Sequence, residues 1–168
     1  LASDGLPAIA LGVDSIDPKV MMHSPRKPSD SIISCNKAFH LLLISVVIAL
    51  GTLAACYFGI HQSGELAQTM AFTTLVVLEL VAVQIIRSQY NTSFFSNPLI
   101  HTAIATSFLL QLCIVYIPFL QRIYNVVPLN IRDWGIIAAI TFSVWILCSL
   151  VNRLFKRLLN NGVLQALR

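Results

Sequence analysis

The chain has 168 residues, 57% hydrophobic and 11% charged, less than half the roughly 25% charged fraction of a typical soluble domain. Its net charge of +4 is distributed among the ends of apolar runs rather than gathered into a basic face, which argues against a nucleic-acid partner. No stretch is polar and long enough to form a soluble nucleotide-binding domain, so the composition points to an all-α integral membrane bundle surrounded by lipid.

In chain order, the first apolar run is LASDGLPAIALG, residues 1–12. At 1.5 Å per residue it crosses only about half a hydrocarbon core. It begins with Leu, carries an acid and has no basic segment before it, unlike a signal peptide. The expectation is the C-terminal half of a broken span belonging to a longer protein. Residues 13–36, VDSIDPKVMMHSPRKPSDSIISCN, are rich in Pro, Ser and charge and are expected to form an extended cytosolic connector. Residues 37–168 are expected to form a four-span bundle with a short C-terminal segment. Its spans are 38–64, which lacks any charge, 67–86, which holds one acid, 98–120 and 134–152. In the first of these four, Gly51, Ala55 and Gly59 stand four apart on one helical face, where a second helix can approach closely. After the last span, Arg153, Lys156 and Arg157 lie at helical spacing and snorkel to the membrane surface, and Asn161-Gly162 is expected to stop that helix.

The basic residues alternate by side. Lys19, Arg26, Lys27 and Lys37, then Arg87, then Arg153, Lys156, Arg157 and Arg168 make nine on one side, against Arg122 and Arg132 on the other. The positive-inside rule places the richer side, with loop 13–36 and the C-terminus, in the cytosol. The Asn91-Thr-Ser sequon then lies on the unglycosylated side. Cys35, Cys56, Cys113 and Cys148 show no Cys-x-x-Cys spacing and read as free thiols. The four histidines are equally scattered, so no zinc-helix motif is present.

Five of the seven acids fall outside the apolar segments, leaving Asp4 and Glu79. A charge at bilayer depth costs on the order of 3 kcal/mol even on the lenient insertion scale, and such residues mark bundle interiors and ion paths. Around Asp4, Gly5 and Pro7 weaken the helical hydrogen bonding and are expected to unwind it, exposing carbonyl oxygens beside the carboxylate and the Ser3 hydroxyl. Carboxylate, carbonyl and hydroxyl oxygens suit a hard cation such as Ca²⁺. A bland alternative for Glu79 is a protonated acid hydrogen-bonded to a neighbouring helix.

The segments SDGLPAIALGVDSIDPKVM and SPRKP resemble the end of the sixth membrane helix and the following cytosolic loop of P-type ATPases of the calcium-pump branch. TMAFTTLVVLEL resembles the eighth helix of those pumps, and YIPFLQRIYNVVPLNIRDW the loop between their ninth and tenth. Ser24-Pro25-Arg26 stands where the family has Pro-Pro-Arg, and Ala82 where reticulum-type pumps carry an amide.

The resemblance implies that Ser3 and Asp4 match the hydroxyl and carboxylate of the sixth-helix calcium motif. Glu79 matches the eighth-helix acid, so Asp4, Ser3 and Glu79 are the expected metal ligands. It also implies that Gly51, Ala55 and Gly59 face the fifth helix of the pump. The phosphorylated aspartate and the domains that use ATP and Mg²⁺ lie upstream, so no catalytic residue is expected in this segment and its partners are the upstream helices and cytosolic domains. The short C-terminus resembles bacterial pumps and suggests a bacterial plasma membrane. The expected function is the ion-binding membrane region of an ATP-driven pump exporting Ca²⁺ from the cytosol, with H⁺ taken up by Glu79 as the cation leaves. The alternatives are a secondary cation/proton transporter and a non-transporting membrane scaffold.

Overall fold

The computed structural model describes the backbone over residues 2–13, 35–87 and 97–160, and the side chains over 5–13, 38–87 and 97–155. Six helices occur among the described residues, and no strand: α1 Ala2–Gly12, α2 Cys35–Ile60, α3 Gly64–Arg87, α4 Pro98–Tyr116, α5 Pro118–Tyr124 and α6 Ile131–Asn160. Four of them, α2, α3, α4 and α6, are long and apolar enough to cross a membrane, in agreement with the four apolar runs. The connector at 14–34, the sequon at Asn91 and the Asn161-Gly162 stop lie outside the described residues.

The α2–α3 hairpin is set by chemistry at its tip. The Gln62 and Ser63 amides both donate to the Gly59 carbonyl, at 2.9 and 3.2 Å. Ser63 Oγ accepts the Leu66 N–H at 3.1 Å, capping α3 at its N-terminus. So short a turn leaves the two helices antiparallel and in contact. Gly59 is where they come closest: a Cβ there would lie 2.5 Å from Ala67 Cα and 2.8 Å from Ala67 N. At Gly51 a Cβ would meet the side-chain tips of Val144 at 2.8 Å and Leu78 at 3.1 Å, and Ala55 is fully buried. The small-residue face is therefore occupied by α3 and α6 of this same chain. The expectation that a second helix approaches this face closely is met; small residues specify close approach and not which helix approaches.

The most buried of the four spans is α3. Its N-terminal half joins a cluster with Ala55, Leu66, Met70, Val115, Leu129 and Ile137. Its other half joins Ile44, Leu78, Ile85, Val144 and Cys148. Polar side chains also sit at this packing surface: Gln111 Nε2 donates to Thr73 Oγ1 at 3.0 Å, and both residues are buried. Interhelical hydrogen bonds of this kind hold spans together where lipid supplies no hydrophobic drive.

The fourth apolar run does not continue to Leu120 as expected. Pro118 disfavours helical geometry at the preceding residue. Ile117 is accordingly extended (φ −86°, ψ 118°), and α4 ends at Tyr116. The following turn, α5, closes on Asn125 in the left-handed region (φ 51°), where Asn is tolerated. Tertiary bonds then pin the connector. Val127 N–H donates to Thr69 Oγ1 at 3.0 Å, Tyr116 Oη to the Leu129 carbonyl at 2.9 Å, and Trp134 Nε1 to Tyr116 Oη at 2.7 Å. Asp133 Oδ2 accepts the Asn130 N–H at 2.9 Å, the reciprocal arm of a capping box at the start of α6. Although it lies outside the apolar span, Asp133 is 1% exposed.

Candidate functional site

Ser3, Asp4 and Glu79 come from α1 and α3. The short α1 packs mainly against α4 and also touches α3, so the helices carrying the predicted residues are neighbours. The side chains of Ser3 and Asp4 lie outside the described residues. Glu79 is half-buried and has a partner within the protein.

The unwinding expected around Gly5 and Pro7 is not found: Ala2–Gly12 is one helix with Pro7 inside it. What Pro7 does is subtract a donor. A helical residue at this position would give its N–H to the carbonyl four residues back, and proline has none, so the Ser3 carbonyl loses its ordinary helical partner. An oxygen is released for other use while the helix keeps its course. Pro7 itself is fully buried, so the released carbonyl lies just before a packed segment.

Among the described residues, no three His, Cys, Asp or Glu side chains converge. Cys56, Cys113 and Cys148 are free thiols. A cavity of about 690 Å³ between α3, α4 and α6 is lined mainly by apolar and aromatic side chains, with Gln84, His101 and Thr141 as its polar members. It does not include Glu79, and it has no carboxylate that could hold a cation.

Two features of this neighbourhood escaped the sequence reading. One is the Thr73–Gln111 bond together with buried Thr69, Thr74 and Ser107; the spacing of Thr69 to Thr73 and of Ser107 to Gln111, each four residues, was the available signal. The other is Asn97, which is 5% exposed. Its Nδ2 donates to the Ala10 carbonyl at 3.0 Å and its Oδ1 accepts the Leu99 N–H at 3.0 Å. The sequence offered Asn97-Pro98 as a cap followed by a first helical residue, but nothing local pointed to Ala10.

Comparison with known proteins identifies the family. Residues 1–154 match the family described as cation transporting ATPase, C-terminus. The chain is similar to a calcium-transporting ATPase of Bacillus subtilis, with 33% identity over 82% of the chain and 16% of that protein. It is similar to calcium-transporting ATPase 1 of Saccharomyces cerevisiae, with 33% identity over 85% of the chain and 16% of that protein. It is also similar to calcium-transporting ATPase type 2C member 1 of Bos taurus, with 30% identity over 89% of the chain and 16% of that protein. The chain thus spans about one sixth of the length of these relatives.

Proposed function

The chain belongs to the C-terminal family of cation-transporting ATPases, and from that premise we propose that it is the ion-binding and translocation part of a pump exporting Ca²⁺ from the cytosol. The observation that carries this reading is a family match over residues 1–154, from α1 into the last span, joined to similarity to calcium-transporting ATPases over 82–89% of the chain. In this reading Asp4 is the central ligand of the transported ion. Ser3 contributes its hydroxyl and the carbonyl that Pro7 leaves unclaimed, and Glu79 contributes a second carboxylate from α3. The remaining oxygens come from upstream helices of the same pump. ATP and Mg²⁺ act in upstream domains, where the phosphorylated group resides.

Loop 13–36 and the C-terminal segment face the cytosol, a reading supported by the nine-to-two division of basic residues. Phosphorylation upstream changes the affinity of this site by biasing the helices between two arrangements. Ion release is then a coupling free energy between distant sites. As the cation departs, Glu79 takes up H⁺, which lowers the cost of holding a carboxylate at bilayer depth.

Glu79→Gln in the full-length protein tests the ligand assignment. The substitution keeps size and one carbonyl oxygen but removes the charge. Half-maximal Ca²⁺ for phosphorylation is expected to rise about tenfold or more, as for a charge-assisted interaction, and its dependence on pH to flatten. Unchanged affinity and an unchanged pH profile would mean that Glu79 is neither ligand nor proton carrier, which favours its structural role.

A further inference from the structure

Asn97 joins two helix ends with a single amide. The last four carbonyls of a helix have no partner within it, and Ala10 is among these in α1. Asn97 Nδ2 supplies the missing donor, at 3.0 Å. At the other end of the same side chain, Oδ1 takes the Leu99 N–H at 3.0 Å and so caps α4. Asn97 has the extended backbone of an N-cap residue (φ −130°, ψ 100°), and Pro98 follows at the start of the helix. The negative end of the α1 dipole therefore meets the positive end of the α4 dipole across one buried amide, an attractive arrangement.

Its position gives this bond leverage. Among the described elements, the main neighbour of α1 is α4. Ala10 and Ile100, on either side of the amide, are buried at 5% and 0% exposure. Asp4 lies six residues before Ala10 on the same helix, about 9 Å along its axis. Asp4 and Ala10 belong to one continuous helix, so sliding or turning at Ala10 carries Asp4 with it.

We propose that Asn97 is a positioning residue for the cation site: by fastening the C-terminal turn of α1 to the N-terminus of α4, it sets the height and rotation of Asp4 relative to Glu79. This rests on the pump reading given above. Asn97 is not itself a ligand, and it acts through Asp4. Its two hydrogen bonds can be separated by chemistry. Aspartate is as good an N-cap as asparagine, and its charge suits a helix N-terminus, but it has no N–H to give the Ala10 carbonyl. Asn97→Asp therefore keeps the cap and cuts the clamp.

In the full-length protein, Asn97→Asp is expected to leave the maximal level of Ca²⁺-dependent phosphoenzyme near that of the unsubstituted protein, with a modestly lower thermal midpoint because the buried Ala10 carbonyl loses its donor. Half-maximal Ca²⁺ is expected to rise roughly three- to tenfold, the change that follows from losing one hydrogen bond. Asn97→Ser, which caps with a side chain too short to span to Ala10, should show the same shift. Wild-type Ca²⁺ dependence in either variant overturns the proposal. Loss of folded protein in both would make Asn97 a stabilising cap only, and would overturn it as well. Absence of any Ca²⁺-dependent phosphoenzyme in the unsubstituted protein would instead remove the pump reading, and with it the role assigned to Asn97.

Discussion

Asp4→Asn in the full-length protein is expected to abolish Ca²⁺-dependent phosphorylation across the range in which the unsubstituted protein saturates. Asparagine preserves the size of the side chain and one oxygen, so helix packing is retained and the change is one of charge. Unit charges 4 Å apart interact by about 4 kcal/mol at an effective dielectric constant of 20. A divalent ion bound to a central carboxylate loses at least that order of energy, a fall in affinity of more than about 100-fold. Asp14→Asn provides the control: Asp14 is an acid of the connector rather than of an apolar segment, and its substitution should leave the Ca²⁺ curve in place. Phosphorylation measured against free Ca²⁺ for both variants decides the matter. A normal curve for Asp4→Asn would remove Asp4 from the site.

A large effect on stability is expected at Gly59. The Cβ of an alanine there would lie 2.5 Å from Ala67 Cα and 2.8 Å from Ala67 N, so the obstruction is backbone and the hairpin itself must open. Overpacking of this kind costs about 1–3 kcal/mol, with the upper part of the range expected where no side chain can turn aside. At Gly51 the obstructing atoms are Val144 Cγ2 at 2.8 Å and Leu78 Cδ1 at 3.1 Å, both side-chain ends that can move. Replacing a helical Gly by Ala also gains about 0.8–1.0 kcal/mol of helix propensity. That gain offsets most of the cost at Gly51 and only part of it at Gly59. Thermal unfolding of the detergent-solubilised protein should therefore give a clearly lower midpoint for Gly59→Ala than for Gly51→Ala. Equal midpoints would contradict the close approach of α2 and α3 at Ala67.

The difference between these two glycines shows where sequence reasoning stops. Spacing alone identifies Gly51, Ala55 and Gly59 as a surface of close approach, but the identity of the approaching atoms is a tertiary fact. It decides both the partner, α3 and α6, and the energetic rank of the two positions. The spans themselves were legible because absence of charge over about 20 residues has few explanations. The end of α4 was misjudged because an uncharged run continues through Pro118, while the helix obeys the constraint that proline places on Ile117.

Pro7 marks the opposite error. It was expected to break the helix, and α1 passes through it, leaving only one carbonyl without its helical donor. Asp4 and Glu79 stood out from sequence because carboxylates in apolar segments are costly. Asn97 did not, because a polar residue beside a proline at the edge of a span has an adequate local explanation as a cap. Its bond to Ala10 joins residues far apart in the chain, and no local pattern encodes it. Asp133 is similar in part: Asn130-x-x-Asp133 is a readable capping pattern, whereas its near-complete burial depends on how the α5–α6 connector folds over it.

As the proposed cation site of an ATP-driven pump, this chain should belong to a much larger protein that is phosphorylated from ATP. The most direct measurement uses an antibody to residues 156–168 to capture the native protein from its membranes. Labelled ATP is then added with and without Ca²⁺, and the reaction is quenched in acid. The expected result is an acid-stable phosphorylated band, dependent on Ca²⁺ and far larger than 18.5 kDa. An unlabelled band near 18.5 kDa would contradict the pump and favour a transporter or scaffold that works without ATP.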